Sequence, residues 1–257
     1  MPETYLQRDQ PPGVPPLALT GERTLPDVPE ENYWYRRHLV VYDWIAQRVR
    51  GLDVVDMATG EGYGADVLAR AGARSVVGVD ANPEAHEHAR LRYGRDGVRF
   101  DRDLVQTWDG EADAVTFLQT IEHVDDPGAI LERFKALLRP GGAAYISTPN
   151  VLTLAPKGAK RSGNPWHVHE YRAEEFAGLL AAHFSSFELY GLFHARKLRV
   201  HDWGLRAGWD HVHPRAGLTG VFYGWFTPAI SVRDFRLRAG TPPRLQRALD
   251  FVAVCRP

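Results

Sequence analysis

Cysteine is almost absent from this chain, and no apolar run is long enough to span a bilayer. The single cysteine, Cys255, excludes an intrachain disulfide and a metal site built from several cysteines. The first residues, Met1-Pro2-Glu3-Thr4, are neither basic nor apolar, unlike the start of a signal peptide. We therefore expect a cytoplasmic protein without a membrane span.

The sequence also lacks an excess of charge of either sign. Its 31 basic and 32 acidic residues give a formal net charge of −1, which does not predict binding to nucleic acid or to an anionic membrane surface. Apolar residues make up 44% and charged residues 25% of the 257 positions, as is usual for globular proteins. The length suits one large domain or a domain with a generous insertion.

Proline content and apolar spacing divide the chain into segments. Residues 1–20 contain five prolines and predict a flexible Pro-rich N-terminus. Residues 21–50 predict a helical cap, because apolar side chains between Tyr35 and Val49 recur at spacings of three and four. The core follows over 51–193, then an insertion over 194–247 and a terminal strand within 248–257.

Strands and helices alternate through the core. The predicted strands are 53–58, 75–80, 97–100, 113–118, 142–148, 186–192 and 249–255, and the predicted helices are 64–72, 83–92, 127–138 and 173–184. Such alternation is typical of an α/β fold with a mainly parallel sheet and helices on both faces. Right-handed crossovers bring the carboxyl ends of the parallel strands to one edge, where ligands bind.

A glycine-rich turn follows the first of these strands. Gly60 and Gly62 come between the strand ending at Asp56-Met57 and the next helix, so the backbone there can approach a ligand closely. Asp80 ends the second strand, twenty residues after Gly60, at the spacing of a ribose-binding acid. Alternatively, the glycines serve only packing, and Asp80 caps the helix that begins near Pro83.

Five motifs together resemble the class I S-adenosylmethionine-dependent methyltransferases. They are Val54–Gly64, Val79-Asp80, Phe100–Leu104, Asp113–Val124 and Leu138–Asn150, the last reading LRPGGAAYISTPN. The resemblance implies a Rossmann-like, doubly wound, seven-stranded, mostly parallel sheet whose last strand is antiparallel, and S-adenosyl-L-methionine as cofactor. One departure is Ala58, where the family usually has glycine, and it suggests a slightly displaced loop.

The resemblance also implies roles for individual residues. Gly60 and Gly62 would leave room for the cofactor, Asp80 would hold its ribose, and Gln119 would lie under the sulfonium. Asp103 and Leu104 would contact the adenine, and Arg37, or Arg36 in its place, would bind the methionine carboxylate. Asp56, Ala58 and Ala81 complete the predicted cofactor-binding set.

A second group of motifs is similar to a narrower set of proteins. The stretches are Gly21–His38, Gly60–Asp66, Ile121–Val124, Asn164–Tyr171 and Gly191–Arg199. They resemble actinobacterial methyltransferases, among them the sugar O-methyltransferase of methylglucose lipopolysaccharide synthesis. The acceptor implied by this resemblance is a glycan or another small molecule.

Histidines and carboxylates are the candidates for catalysis. A sugar hydroxyl needs a general base, and His123 follows the fourth strand while His167 lies in the loop after the fifth. We expect His167 to point inward, paired with Glu170 or Glu122, and His169 to point outward. Alternatively, His123 only orients its loop, or these groups bind a divalent metal, although their spacing is not that of a dedicated metal site.

The insertion is rich in aromatic side chains, with His201, His211 and His213 among them. Among its large rings are Trp203, Trp209, Phe222, Tyr223, Trp225 and Phe226. We interpret them as an acceptor pocket and lid, and the alternative is a packed subdomain or a homodimer contact.

The function predicted from these features is O-methylation of a carbohydrate or glycolipid hydroxyl with a histidine base. One alternative is a tailoring methyltransferase for a natural product or quinone. Another is a cofactor-binding protein without catalysis, suggested by Ala58. A nicotinamide-dependent oxidoreductase shares the glycine turn and the acid after it, but the fourth and fifth motifs disfavour it.

Overall fold

The described part of this computed structural model comprises residues 4–5, 7, 10–19, 23–156, 158–215 and 217–257. The strands are β1 (Thr4–Tyr5), β2 (Leu17–Ala18), β3 (Asp53–Met57), β4 (Ser75–Val79), β5 (Val98–Asp101), β6 (Ala112–Leu118), β7 (Leu138–Pro149), β8 (Ser186–His194), β9 (Phe235–Ala239) and β10 (Asp250–Arg256). β1 and β2 form a small antiparallel pair. The other strands form the central sheet.

The helices flank this sheet. They are α1 (Asn32–Ala46), α2 (Tyr63–Arg70), α3 (Pro83–Tyr93), α4 (Pro127–Leu137), α5 (Val151–Leu154), α6 (Ala173–His183), α7 (Arg196–Arg206), α8 (Trp209–Arg215), α9 (Thr219–Phe226) and α10 (Pro242–Leu245). Among the helices that the structure describes, none has both the length and the apolar character needed to cross a membrane.

The central sheet has the strand order β5-β4-β3-β6-β7-β10-β8-β9. The first five strands in this order are mutually parallel, and β10 is antiparallel to both β7 and β8. The chain therefore winds outward from β3 in both directions, and the switch point, where ligands bind in such sheets, lies between β3 and β6. The predicted Rossmann-like architecture and the antiparallel terminal strand are confirmed.

The prediction of seven strands is one strand short. The eighth strand, β9, pairs antiparallel with β8 at the sheet edge and lies inside the segment predicted as an insertion. Its five residues alternate between apolar side chains and Arg236 and Arg238. A pattern of period two over so short a stretch is not distinctive, and only pairing with β8 defines the strand.

Each face of the sheet is covered by a layer of helices. On one face, α4 buries Phe134 against Phe117 of β6, and α6 buries Phe176 against Phe251 of β10. On the opposite face, α1 and α2 bury Ile45 and Leu68. Fully burying a side chain of this size contributes about 1.5–3 kcal/mol, so these layers stabilise the sheet.

The described residues of the N-terminal segment pack against the domain. Leu17 is buried together with Leu25 and Val28. His88 of α3 lies 2.7 Å, through Nδ1, from the carbonyl oxygen of Pro15. Part of the segment 10–19 is thus in contact with the domain, and the flexible N-terminus expected from the prolines stays a prediction. Residues 1–3, 6, 8, 9 and 20 lie outside the described residues.

Aromatic side chains of the insertion pack mainly on one another. The ring of His201 stacks on Phe226 with centroids 4.9 Å apart, and Trp209 meets Phe222 at 5.3 Å. None of these four rings lines the two cavities described below. At these positions the rings pack as in the alternative of a packed subdomain, and the acceptor pocket and lid stays a prediction.

Candidate active site

Two adjoining cavities open at the carboxyl ends of the parallel strands. The glycine-loop cavity, of about 460 Å³, is lined by the turns after β3, β4 and β6, at residues 58–61, 80–82 and 118–120. The histidine cavity, of about 380 Å³, is lined by α1 and by the surroundings of His123 and His167. Residues that line both cavities are Arg23, Thr24, His38, Gln119 and His123. A ligand in one cavity would therefore meet a ligand in the other.

The glycine loop has left-handed backbone at three positions. The φ angles are 56° at Ala58, 58° at Gly60 and 98° at Gly62. A Cβ at Gly62 would lie 2.7 Å from the Cβ of Ala89, whereas a Cβ at Gly60 would meet nothing within 4 Å. Gly62 thus serves packing, and Gly60 faces open space in the cavity. Ala58 has a left-handed φ that glycine adopts without strain, and the displaced loop stays a prediction.

Asp80 and Asn82 divide the two roles that the sequence left open for Asp80. Asp80 accepts hydrogen bonds from the backbone N–H of Gly60 at 2.8 Å and of Asn82 at 2.9 Å. The cap of α3 is instead Asn82, whose side chain accepts from the N–H of Glu84 and Ala85. Asp80 and its neighbour Ala81 both line the glycine-loop cavity. The carboxylate is therefore positioned to face a ligand.

Asp56 lies beneath the loop and does not line either cavity. Its carboxylate is fully buried and accepts hydrogen bonds from the hydroxyls of Thr59, Thr116 and Tyr42. Burial raises the pKa of Asp56 to about 6, although these hydrogen bonds oppose the shift. Asp56 supports the loop through Thr59 and Tyr42, which do line the glycine-loop cavity.

Gln119 follows β6 at the junction of the two cavities. Its φ of 53° is unusual for a residue with a side chain. The strand β7 holds it there, since its backbone N–H and its side-chain Nε2 both donate to the hydroxyl of Ser147, at 3.1 and 3.0 Å. Strain of this kind at a cavity is typical of a functional position.

The structure does not bring Asp103 and Leu104 into either cavity. Asp103 accepts hydrogen bonds from the N–H of Leu104 at 2.7 Å and from the hydroxyl of Thr107 at 2.6 Å. The side chain of Leu104 is 53% exposed. Their assignment as adenine contacts stays a prediction.

Arg37 lines the histidine cavity, but its guanidinium is bound by another side chain. Its Nε donates to Asp250 at 2.7 Å, its Nη2 donates to the same carboxylate, and both residues are buried. Nη2 also donates to the carbonyl of Leu249 at 2.9 Å. Burial opposes the charge of Arg37, but Asp250 outweighs it and raises the pKa of Arg37 above its usual value. Arg36, the substitute candidate, donates to Asn32 and lines neither cavity.

His123 lies between the two cavities, with its ring held by a backbone carbonyl. Its Nδ1 is 2.9 Å from the carbonyl oxygen of Trp166. Because a carbonyl oxygen only accepts, the neutral ring carries its proton on Nδ1 and its lone pair on Nε2. This tautomer, assigned from the hydrogen bond, is the one that a general base at Nε2 requires.

His167 points inward and pairs with Glu170, as we expected. Its Nδ1 donates to Glu170 at 2.8 Å, and its Nε2 lies 3.1 Å from the amide nitrogen of Asn164. Burial alone would raise the pKa of Glu170, but hydrogen bonds from Ser162 and His167 outweigh it and hold that pKa below its usual value. His169 is exposed. Since Asn164 donates to Nε2 of His167, both nitrogens of this ring are engaged, and its first role is to shape the loop.

Glu122 joins this loop to the end of β6. Its backbone carbonyl accepts from the N–H of Val168 and His169, at 2.8 and 3.0 Å. Its buried carboxylate accepts from Thr148 at 3.1 Å, and burial raises the pKa of Glu122 to about 8. The carboxyl group is therefore mainly neutral at pH 7.

Three of these side chains could also hold a metal ion. Among the described residues, ligand atoms of Glu122, His123 and His167 lie within 4.8 Å of one another. One carboxylate and two imidazoles suit a divalent transition metal better than magnesium. The donor set therefore fits the metal alternative, although binding would require Glu122 to lose its proton and Nε2 of His167 to give up its hydrogen bond from Asn164.

Several lining residues were missed in the sequence analysis. Arg23, Thr24 and His38 line both cavities, and Trp166 lines the glycine-loop cavity. Burial lowers the pKa of His38 to about 4, so its ring is neutral at pH 7. The signal available was their position within the motifs Gly21–His38 and Asn164–Tyr171, but only the folded chain shows which of those side chains face inward.

Comparison with known proteins agrees with this geometry. Residues 33–202 match a family model described as a methyltransferase domain. A probable S-adenosylmethionine-dependent methyltransferase of Mycolicibacterium smegmatis is 36% identical over 246 residues, covering 93% of this chain and 94% of the relative. A ubiquinone biosynthesis O-methyltransferase of Xanthomonas campestris is 35% identical over 161 residues, 57% of this chain and 67% of the relative.

The fold is also found among solved structures. A SAM-dependent methyltransferase from Thermotoga maritima superposes with a TM-score of 0.58 at 16% identity, over 88% of this chain and 94% of that one. The family match spans more than half of the chain, and the Mycolicibacterium relative aligns over nearly all of it. The chain therefore belongs to the S-adenosylmethionine-dependent methyltransferases.

Proposed function

We propose that this enzyme methylates a hydroxyl group of a carbohydrate or glycolipid, with His123 as the general base. The observation that carries the proposal is the position of His123 at the junction of the two cavities, with Nδ1 held by the Trp166 carbonyl. The cofactor would occupy the glycine-loop cavity and the acceptor the histidine cavity. The sugar-directed part rests on the resemblance in the motifs around Gly21–His38 and Asn164–Tyr171.

The residues of the glycine-loop cavity fit S-adenosylmethionine. When bound, the cofactor supplies an electrophilic methyl group on a sulfonium. Asp80 would accept from the ribose hydroxyls, and the open face of Gly60 would admit the cofactor. Asp103 and Leu104 would contact the adenine only at the outer end of the cavity, because neither is part of its lining.

We assign the methionine carboxylate to Arg23 in preference to Arg37. Arg23 lines both cavities, whereas the guanidinium of Arg37 is occupied by Asp250 and lines the histidine cavity alone. A guanidinium facing the cavity can bind a carboxylate through two hydrogen bonds. Arg37 would then act indirectly, by fixing α1 against the start of β10.

The chemical work of the protein is alignment and proton removal. His123 would accept the hydroxyl proton at Nε2 as the acceptor oxygen bonds to the methyl carbon and the bond between that carbon and the cofactor sulfur breaks, so the imidazole would end as an imidazolium. A carboxyl oxygen of Glu122 lies 4.0 Å from Nε2, next to the position of that cation. Glu170 and Asn164 keep His167 packed against the His123 ring, whose centroid is 4.9 Å away.

Methyl transfer from radiolabelled cofactor to short α-glucans and glycolipids tests the proposal. His123→Ala should lower turnover by about 10²–10⁴-fold, the usual contribution of a general base, while cofactor affinity stays within about threefold. Val168→Ala, an exposed change in the neighbouring loop that carries His167, is the control. Unchanged turnover in His123→Ala would overturn the base assignment, and transfer to no glycan would overturn the acceptor class.

A quinone or natural-product acceptor is the second candidate, favoured by the similarity to a ubiquinone biosynthesis O-methyltransferase. A panel of catechols in the same assay separates the two classes. Treatment with EDTA, followed by addition of Mn²⁺ or Zn²⁺, tests the metal alternative at Glu122, His123 and His167. Cofactor binding with turnover on neither class would favour a protein without catalysis.

A further inference from the structure

A third cleft, of about 610 Å³, lies beyond the acceptor side of the site between α7, β9 and α10. Five arginines line it: Arg199, Arg206, Arg238, Arg244 and Arg247. All five side chains are exposed. The proposed methyl transfer uses none of them, so the arginine cleft needs a separate explanation.

The positive charge of the arginine cleft has little compensation. Among the residues that the structure describes, no carboxylate lies within 4 Å of these five guanidinium groups. The acid in the lining, Asp202, accepts from Nδ1 of His194 at 2.9 Å. Residues 194–247 contain ten basic and three acidic residues, in a chain whose net charge is −1. This concentration of unpaired guanidinium groups attracts anions.

The lining also offers a flat apolar surface. Trp203 lies on the same face of α7 as Arg199 and Arg206, at helical spacings of four and three. Its side chain is 64% exposed. An exposed indole beside guanidinium groups suits a ligand that joins an anionic group to an organic ring.

The chemistry of five guanidinium groups favours phosphate over a single carboxylate. A phosphate ester carries about two negative charges at pH 7 and offers several acceptor oxygens to the planar donors of arginine. The arginine cleft shares a wall with the histidine cavity, because Leu249 lines the cleft while its carbonyl accepts from Arg37, which lines the cavity.

We propose that the arginine cleft binds the phosphate ester of a phosphorylated sugar or glycolipid, with the organic part against Trp203. The further step, that this phosphorylated molecule is the acceptor of methylation, rests on the proposed function. The binding site itself does not depend on it.

Calorimetric titration tests the binding site directly. Wild-type protein should bind pyrophosphate and glucose 1-phosphate but not glucose, and should lose affinity as salt rises from 50 to 200 mM. Arg244→Glu/Arg247→Glu should lower the affinity for both phosphate compounds by at least tenfold. Arg50→Glu/Arg215→Glu makes the same charge change at exposed positions outside the cleft, and its affinity for both compounds should stay within about twofold of the wild-type value. Cofactor affinity should be unchanged in both.

Two further measurements sharpen the result. Trp203→Ala should weaken the binding of glucose 1-phosphate more than the binding of pyrophosphate. The neutral change Arg206→Gln should weaken the binding of both compounds by a smaller factor than the double variant, and it replaces the double variant in the test if that variant folds poorly. Sedimentation with phosphatidylglycerol vesicles, against phosphatidylcholine vesicles, distinguishes a lipid headgroup from a soluble sugar phosphate as the source of the ester.

The outcomes separate this proposal from the proposed function. Absence of phosphate binding, or an equal loss in the control variant, overturns the arginine cleft as a site. Phosphate binding that depends on the cleft, without methylation of any phosphorylated glycan, supports the site and contradicts the acceptor.

Discussion

Two residues with side chains hold left-handed backbone at the cavities, Ala58 with φ 56° and Gln119 with φ 53°. For an L-residue this conformation costs about 1–2 kcal/mol, and here neighbouring hydrogen bonds maintain it. Gln119 is held by Ser147, and the residue after Ala58, Thr59, is held by the backbone of Val79 and by Asp56. The geometry of the cavity floor is thus imposed by β4 and β7 on the turns between them.

Ala58→Gly should stabilise the protein. Glycine adopts φ near 56° without strain, and the gain exceeds the extra chain entropy of unfolded glycine, leaving about 0.5–1 kcal/mol. Urea unfolding at fixed pH measures the change. Ala177→Gly, in the regular helix α6, should instead lower the free energy of unfolding by about 1 kcal/mol. Equal losses in both variants would show that Ala58 carries no strain.

Asp56 should make stability depend on pH in a defined window. Its pKa rises from 3.8 to about 6 on folding, so between these values the folded state holds a proton that the unfolded chain has released. Its contribution to the free energy of unfolding therefore falls as pH rises from 4 to 6 and is constant above. Across that window, the free energy of unfolding of the wild type should fall by on the order of 2 kcal/mol relative to that of Asp56→Asn.

Asp53 gives a contrast of opposite sign for this experiment. Hydrogen bonds from Arg74 hold the pKa of Asp53 below its usual value. The contribution of ionised Asp53 to the free energy of unfolding is thus present at neutral pH and is lost as pH falls through the acid range. If Asp56→Asn shifted the pH profile in the same direction as Asp53→Asn, burial would not govern the pKa of Asp56.

Among the elements, α1 connects the most parts of the site. It packs on α2 and carries His38 to the junction of the cavities. It also holds Arg37 against Asp250, the first residue of β10. The aromatic and basic crowding of this helix was visible in the sequence, but the partner of Arg37 lies 213 residues away, and no local pattern indicates it.

Arg37→Met should lower the free energy of unfolding by about 3–5 kcal/mol, because Asp250 is then left buried and unpaired. Arg37→Met/Asp250→Asn should recover most of the loss. If the role of Arg37 is structural, as we propose, the double variant binds S-adenosylmethionine with normal affinity. A large loss of cofactor affinity in the stable double variant would restore Arg37 as a ligand of the methionine carboxylate.

The regular elements of the core were predictable, and the insertion was not. The strands at 53–58 and 113–118 are apolar runs between turn residues, and the structure has them at Asp53–Met57 and Ala112–Leu118. The strand Phe235–Ala239 lies at the sheet edge, and its alternation of apolar residues with arginines covers only five residues, too few to identify a strand. Local pattern records which face is buried, whereas pairing at an edge depends on a neighbour far along the chain.

At the scale of the whole molecule, three cavities lie in a row along the sheet edge. The glycine-loop cavity lies at the switch point, the histidine cavity lies beside β7, and the arginine cleft lies beside β8 and β9. The sequence predicted the first from motifs and the second from its histidines. The arginine cleft was not predicted, because the net charge of −1 is a sum in which the acidic remainder of the chain cancels the positive charge of residues 194–247.

Cofactor binding should stabilise the whole domain, because the glycine-loop cavity draws its lining from β3, β4, β6 and α1 together. At about 100 times the Kd, S-adenosylmethionine adds about 2.7 kcal/mol to the free energy of unfolding, or about 5–10 °C in Tm for a chain of this size. Asp80→Asn should reduce this shift in Tm to less than half, because the ribose hydroxyls lose the carboxylate to which they would donate. The exposed change Asp126→Asn should leave the shift intact. Differential scanning fluorimetry over a range of cofactor concentrations measures both. An undiminished shift in Asp80→Asn would place the ribose outside the glycine-loop cavity and would contradict the assignment of that cavity to the cofactor.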